Sequence, residues 1–189
     1  MSDTPADRPR ALVVYESMFG CTESVTRAVV EGLEQGGVDA VVAEVRAAGR
    51  AGEQEYDLLV VGAPTHAFSL SRPGTRQDAV RQGARADRAE TGVREWITAL
   101  DPDEGRHRPA AAFDTRVTKV RHLPKAASTR AVHLLARRGF TVAERPAPFF
   151  VEDVKGPLVD GELDRARAWG RRIALRYLHE HPAPPAAAG

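Results

Sequence analysis

The stretch "VVYESMFGCTESVTRAV", Val13 to Val29, decides how this chain of 189 residues is read. An apolar run, "ALVVY" (Ala11 to Tyr15), has the pattern of a short strand buried on both faces. A turn containing Gly and small polar residues follows. Val25, Ala28, Val29 and Leu33 then recur at helical spacing until Gly36 and Gly37 stop the helix. A strand, tight turn and helix in this order aim backbone N–H groups and the positive end of a helix dipole out of the turn, which can hold an anion without Lys or Arg. The same residues also spell C-x5-R, from Cys21 to Arg27, the pattern of a reactive thiolate. The two readings compete.

Outward from this unit the alternation continues. "VDAVVAEVR" reads as a second strand and "DLLVVGAP" as a third, ended by Pro64. Residues Thr65 to Thr91 are rich in Arg, Gln, Asp and Ala with little apolar periodicity. "GVREWITAL" (Gly92 to Leu100) is a helix with Val93, Trp96, Ile97 and Leu100 on one face. "PAAAFDT" gives a fourth strand, and Ala127, Ala131, Leu134 and Leu135 mark a helix closed by Gly139. "FTVAE" and "PFFVE" read as one fifth strand interrupted by Pro146 and Pro148. Leu163, Ala166, Gly170, Ile173, Ala174 and Tyr177 define a last helix.

Strands alternating with helices predict an α/β fold. The expectation is a doubly wound three-layer sandwich with a five-stranded parallel sheet of order 2-1-3-4-5, whose ligand crevice lies beyond the carboxyl ends of the first and third strands. A single domain is expected over residues 10–181, with flexible tails at 1–9 and 182–189.

Composition narrows the function. Apolar residues make up 42% and charged residues 28%, and the net charge is +1, so no overall field recruits nucleic acid or an anionic membrane. No apolar run is long enough to span a bilayer, and the polar N-terminus has no signal-peptide core. A single cysteine rules out an internal disulfide and suits a reducing compartment, so a cytoplasmic location is expected. The histidines are scattered, no second cysteine helps them, and no metal site is expected. Neither a Gly-Lys-Ser/Thr phosphate loop nor a G-x-G-x-x-G fingerprint occurs.

"SMFGCT" before a helix, "GAPTHAF" after the third strand, "AFDTR" after the fourth and the tail "KGPLVDGELDRARAWGRRIA" together resemble the flavodoxin-like flavoproteins, from about Arg10 to about His181. The resemblance implies an FMN cofactor and a role in electron transfer. It implies that Ser17, Met18, Phe19, Gly20, Cys21 and Thr22 hold the FMN phosphate. It likewise implies that Pro64, Thr65, His66, Ala67 and Phe68, with Phe113, Asp114, Thr115 and Arg116, grip the isoalloxazine ring from two loops. Arg116 beside the ring edge would favour the reduced, anionic flavin, unless it pairs with an acidic residue.

The chain departs from the family's pattern at three points. Phe19 stands where a second hydroxyl belongs in the phosphate turn. The ring loops lack Trp and Tyr. The Arg-rich segment after Phe68 is an addition relative to small flavodoxins, read either as a solvated insertion or as a lid or phosphate clamp.

Four functional readings stay open from the sequence. The first is an FMN protein in electron transfer, with a redox partner protein or with NAD(P)H and a small electron acceptor. The second is an NAD(P)H-dependent quinone or nitro-compound reductase, and the third a flavin-free binding or regulatory module on the same fold. The last is a thiolate phosphatase through Cys21 and Arg27. Glu23 inside the anion cradle, the distance of Cys21 from the strand end and the lack of Gly between Cys21 and Arg27 all oppose it.

Overall fold

The computed structural model describes residues 8–49, 55–106, 108–120 and 126–182. Of the proposed tails, 1–9 and 182–189, residues 1–7 and 183–189 therefore lie outside the described residues, as do His107 and His122. Arg8 is already tied to the body: its guanidinium donates to the carbonyls of Glu34 and Gly37 and pairs with Asp39.

The strands are β1 (Arg10–Tyr15), β2 (Asp39–Glu44), β3 (Leu58–Pro64), β4 (Pro109–Val117), β5 (Thr141–Val142) and β6 (Ala147–Val151). The helices are α1 (Cys21–Gln35), α2 (Pro73–Arg81), α3 (Val93–Ala99), α4 (Ala127–Ala136) and α5 (Glu162–Glu180). All strand pairs are parallel and the order is β2-β1-β3-β4-β5, with β6 also on β4.

Because side chains alternate along a strand, the continuous apolar runs of β1 and β3 feed two cores at once. Leu12, Val14, Leu59 and Val61 pack with Val93, Ile97, Ala131 and Leu135 on the face of α3 and α4. Val13, Leu58 and Val60 pack with Val25, Val29, Trp169 and Ile173 on the face of α1 and α5. This is the three-layer sandwich expected from the alternation.

The fifth strand position is two strands rather than one. β5 pairs with Pro109 and Ala110, and β6 pairs with Phe113 to Val117, along the same side of β4. The chain leaves the ladder between them at Pro146, which has no N–H to give. Pro148 is carried within β6 because β6 is an edge strand.

The Arg-rich segment is not a solvated insertion. It folds as α2 and a 3-10 turn (Ala86–Ala89), and Arg76 within it is fully buried. Arg76 donates to the Ser71 hydroxyl, the Ala89 carbonyl and the Glu95 carboxylate.

Helices α1 and α5 meet backbone to backbone. A Cβ at Gly32 would lie 2.0 Å from the Arg167 carbonyl oxygen, and one at Gly170 would lie 2.2 Å from that of Val29. Because the obstacle is main chain, a methyl group can enter only by pushing the helices apart. Gly32→Ala is expected to destabilise the fold by about 1–3 kcal/mol, the cost of overpacking, read from its denaturant-unfolding midpoint at unchanged slope.

Candidate functional site

A cleft opens at the carboxyl ends of β1, β3 and β4, where the strand order reverses. Its volume is about 230 Å³. Three segments build it.

The first is the turn from Ser17 to Thr22. Gly20 caps α1 with φ 98°, a left-handed backbone that favours glycine, and a Cβ there would meet open space. The Ser17 hydroxyl oxygen accepts from the N–H groups of Gly20 (3.1 Å) and Glu23 (3.3 Å), which locks the turn. Among the described residues, the N–H groups of Met18, Phe19, Cys21 and Thr22 find no acceptor. Cys21 and Thr22 carry unsatisfied donors of the α1 start, and Met18 and Phe19 belong to the turn before its cap. The Thr22 hydroxyl bonds that of Thr115 at 2.8 Å, joining the turn to the end of β4.

The second is the loop after β3. Thr65 is fixed by its N–H to the Thr115 carbonyl and by its hydroxyl to Asp114. His66 and Ser69 then exchange two main-chain hydrogen bonds around Ala67 and Phe68, whose φ values are 46° and 62°. This is a two-residue turn with both central residues left-handed, built without glycine. Burial, and next the positive charge of Arg76, push the His66 pKa below its ordinary value, so the ring is neutral at pH 7.

The third is the end of β4, where Thr115, Arg116 and Val117 line the cleft. Two more apolar walls come from Val151 and Val154. No carboxylate lines the cavity among the described residues.

These neighbours bring together Ser17, Met18, Phe19, Cys21, Thr22, Pro64, Thr65, His66, Ala67, Thr115 and Arg116 of the expected site, with Gly20 closing their turn. Three expected residues stand elsewhere, two of them, Phe113 and Asp114, because β4 runs to Val117 instead of ending at Thr115. Phe113 is fully buried on the α1 and α5 face, in edge-to-face contact with Phe149 and Trp169, and does not face the cleft. Asp114 points to the other face and is equally buried. Phe68 is half exposed and lines a neighbouring groove.

No protein-family model matches the chain, and no curated protein matches it in sequence. Solved structures do match. A flavodoxin from the domain Archaea superposes with a TM-score of 0.62 at 19% identity, over 90% of this chain and 99% of its own. Flavodoxin 1 from Bacillus cereus gives 0.60 at 15% identity, over 92% of this chain and 99% of its own. The rubredoxin oxygen:oxidoreductase from Desulfovibrio gigas gives 0.60 at 16% identity, over 93% of this chain but 38% of that longer one. The chain has the flavodoxin-like fold. At these identities the likeness extends to the fold alone, so ligand and activity rest on the site.

Within this flavodoxin-like frame the thiolate reading fails on geometry. Burial pushes the Cys21 thiol up from its ordinary value, away from the thiolate. Arg27 is exposed and pairs with Glu23 at 2.8 Å.

Arg116 does meet an acidic partner. Its Nε and Nη2 reach the two oxygens of Asp114 at 2.7 and 2.8 Å. Its charge at the cleft is therefore largely compensated, and the sequence-based idea of an unpaired cation tuning a ring does not hold. Asp114 also accepts from Thr65, from the Ser128 N–H and from the Ser128 hydroxyl. Arg116→Ala leaves this buried carboxylate without its cation and is expected to cost about 3–5 kcal/mol of stability. Adding Asp114→Asn to that variant should recover part of the loss in the same unfolding measurement.

Sequence reasoning missed Glu16. It follows β1, is 1% exposed, accepts from the Val93 N–H at 3.0 Å, and leaves its other oxygen without a partner. Burial raises its pKa, against the Ser71 and Val93 hydrogen bonds and the Arg76 charge. A carboxyl whose folded pKa is raised stabilises the fold fully below the unfolded value, near 4.5, and loses that contribution as pH rises through the folded value. Glu16→Gln is expected to flatten this decline, so the variant gains on the wild type as pH rises above the ordinary carboxyl value near 4.5 in denaturant melts.

Proposed function

We propose that this protein binds FMN in the cleft and takes part in electron transfer. The observation that carries the reading is the array of unsatisfied N–H groups at Met18, Phe19, Cys21 and Thr22 beside an open left-handed glycine, at one end of an otherwise mostly apolar cleft that no carboxylate lines among the described residues. Amides and a helix start suit a phosphate dianion. Pro64, Ala67, Val117, Val151 and Val154 suit an apolar ring system.

The residues present therefore fit FMN. Ser17 and Thr22 stand ready to donate hydroxyl hydrogens to its phosphate, and neutral His66 contributes no charge at the ring end. When bound, FMN supplies the one- and two-electron chemistry. The protein's share is to bind, to orient and to hold local charge near zero. A cavity of about 230 Å³ is smaller than the roughly 300–1,000 Å³ that encloses a drug-sized ligand, so FMN held there would be only partly enclosed and would remain accessible to a redox partner protein, or to NAD(P)H and a small acceptor. The single cysteine fits a cytoplasmic setting; among the described residues no helix is long and apolar enough to cross a membrane.

Calorimetry with FMN and riboflavin tests the reading. FMN should bind at least tenfold more tightly, since even one charge-assisted hydrogen bond contributes about 1.5–3 kcal/mol. Equal affinities would remove the turn from the site. Absence of binding by either would favour the flavin-free module. Oxidation of NAD(P)H by the FMN-loaded protein with a quinone separates a reductase from a carrier.

A further inference from the structure

Across the turn at Ala67 and Phe68 lies a second and larger cavity of about 600 Å³. Phe68, Arg72, Arg94, Thr129, Arg130 and His133 line it. Arg94, half-buried at the start of α3, is held by three neutral acceptors. Its Nε donates to the Ser71 carbonyl at 3.0 Å, and its Nη2 donates to the Ser69 hydroxyl at 3.1 Å and the Leu70 carbonyl at 2.7 Å. This leaves Nη1 with no acceptor among the described residues.

Arg72, Arg94 and Arg130 have no carboxylate partner among the described residues. The nearest candidate, Glu95, is engaged by Arg76 and by the Gly92 N–H. Arg94 feels both neighbours: burial first, then the charges of Arg72 and Arg130, lower its pKa, against the weaker opposite pull of Glu95 and Glu16. Such a convergence of like charges is unfavourable unless an anion is brought among them. The arginine fork matches phosphate oxygens in pairs, and two forks with a third cation exceed what one phosphate group needs. Phe68, half exposed at the wall, offers a face on which a planar base stacks.

We propose that this groove binds the diphosphate of a nucleotide, with Arg72, Arg94 and Arg130 on the phosphates and Phe68 against the base. The cavity volume falls in the range of small-molecule sites. The site is separate from the FMN cleft and shares only Ala67 with it.

The test is calorimetry of the full chain with inorganic pyrophosphate, ADP, AMP and an oligoglutamate peptide, at fixed ionic strength. Pyrophosphate and ADP should bind, and AMP at least tenfold more weakly than ADP. Tighter binding of ADP than of pyrophosphate assigns a nucleotide, whereas equal affinities overturn the stacking role of Phe68. The pair Arg72→Gln, at an exposed position, and Arg130→Gln, at a partly buried one, is expected to fold normally and to weaken both ligands at least tenfold while leaving FMN affinity unchanged.

Failure of pyrophosphate and ADP to bind, or binding that the substitutions leave unmoved, overturns the proposal, as does preference for the acidic peptide. Because FMN is titrated separately on the same variants, loss of the FMN reading and loss of this one are distinguishable.

Discussion

The site depends on one buried carboxylate. Asp114 is wholly inaccessible and takes hydrogen bonds from Thr65 after β3, from Arg116 two residues along β4, and from the N–H and hydroxyl of Ser128 at the start of α4. A buried ion pair of this sort seldom adds net stability, because desolvation offsets its Coulomb attraction. Here it fixes register: three elements of separate sequence origin meet at one point, and both walls of the cleft are referred to it. It also explains how a cation can border the cleft with its charge compensated.

Strain is concentrated next to that point. Ala67 and Phe68 both have positive φ, a conformation that costs an ordinary L-residue roughly 1–2 kcal/mol. Asn-Gly would close such a turn more cheaply. What the strained pair provides is a side chain at each central position, with Phe68 standing at the groove. The turn is braced from below by Arg94, whose guanidinium binds Ser69, Leu70 and Ser71 in succession. The residue that fixes the wall between the two cavities is thus also the central cation of the second cavity.

The layers of the fold were legible because they follow from hydrophobic period alone. The runs in β1 and β3, the helical stripe of α1, that of α5 apart from the exposed Leu163, and the stop at Gly36 and Gly37 all read correctly. The turn at Ser17 to Thr22 was legible too, since a glycine between a strand and a helix has few uses. Phe113 was not. Its burial requires Gly62 on the next strand, where a Cβ would sit 2.2 Å from the Phe113 ring, and no local pattern shows that pairing. Arg76 and Arg88 looked like surface residues in a polar segment; their partners Glu95, Ser17 and Glu23 lie far away in sequence. Val151 and Val154 were invisible for the same reason.

Two features that stood out separately in the sequence explain each other in space. Phe19 replaces a hydroxyl in the phosphate turn, and the Arg-rich segment follows Phe68. In the structure Met18 is buried against Ala79, Ala84 and Ala89 of that segment, and Phe19 packs on the same cluster. The aromatic ring thus anchors the segment to the turn. The segment in return sends Arg88 to the Ser17 carbonyl at 3.0 Å and to Glu23 at 3.2 Å. Glu23 sits in the first turn of α1, where a free carboxylate would oppose an anion at the N–H array. With Arg88 on one oxygen and Arg27 on the other, its charge is compensated. Where a second hydroxyl is lacking, the turn has a clamp that offsets the Glu23 charge, so Phe19 and the added segment are parts of one packed unit.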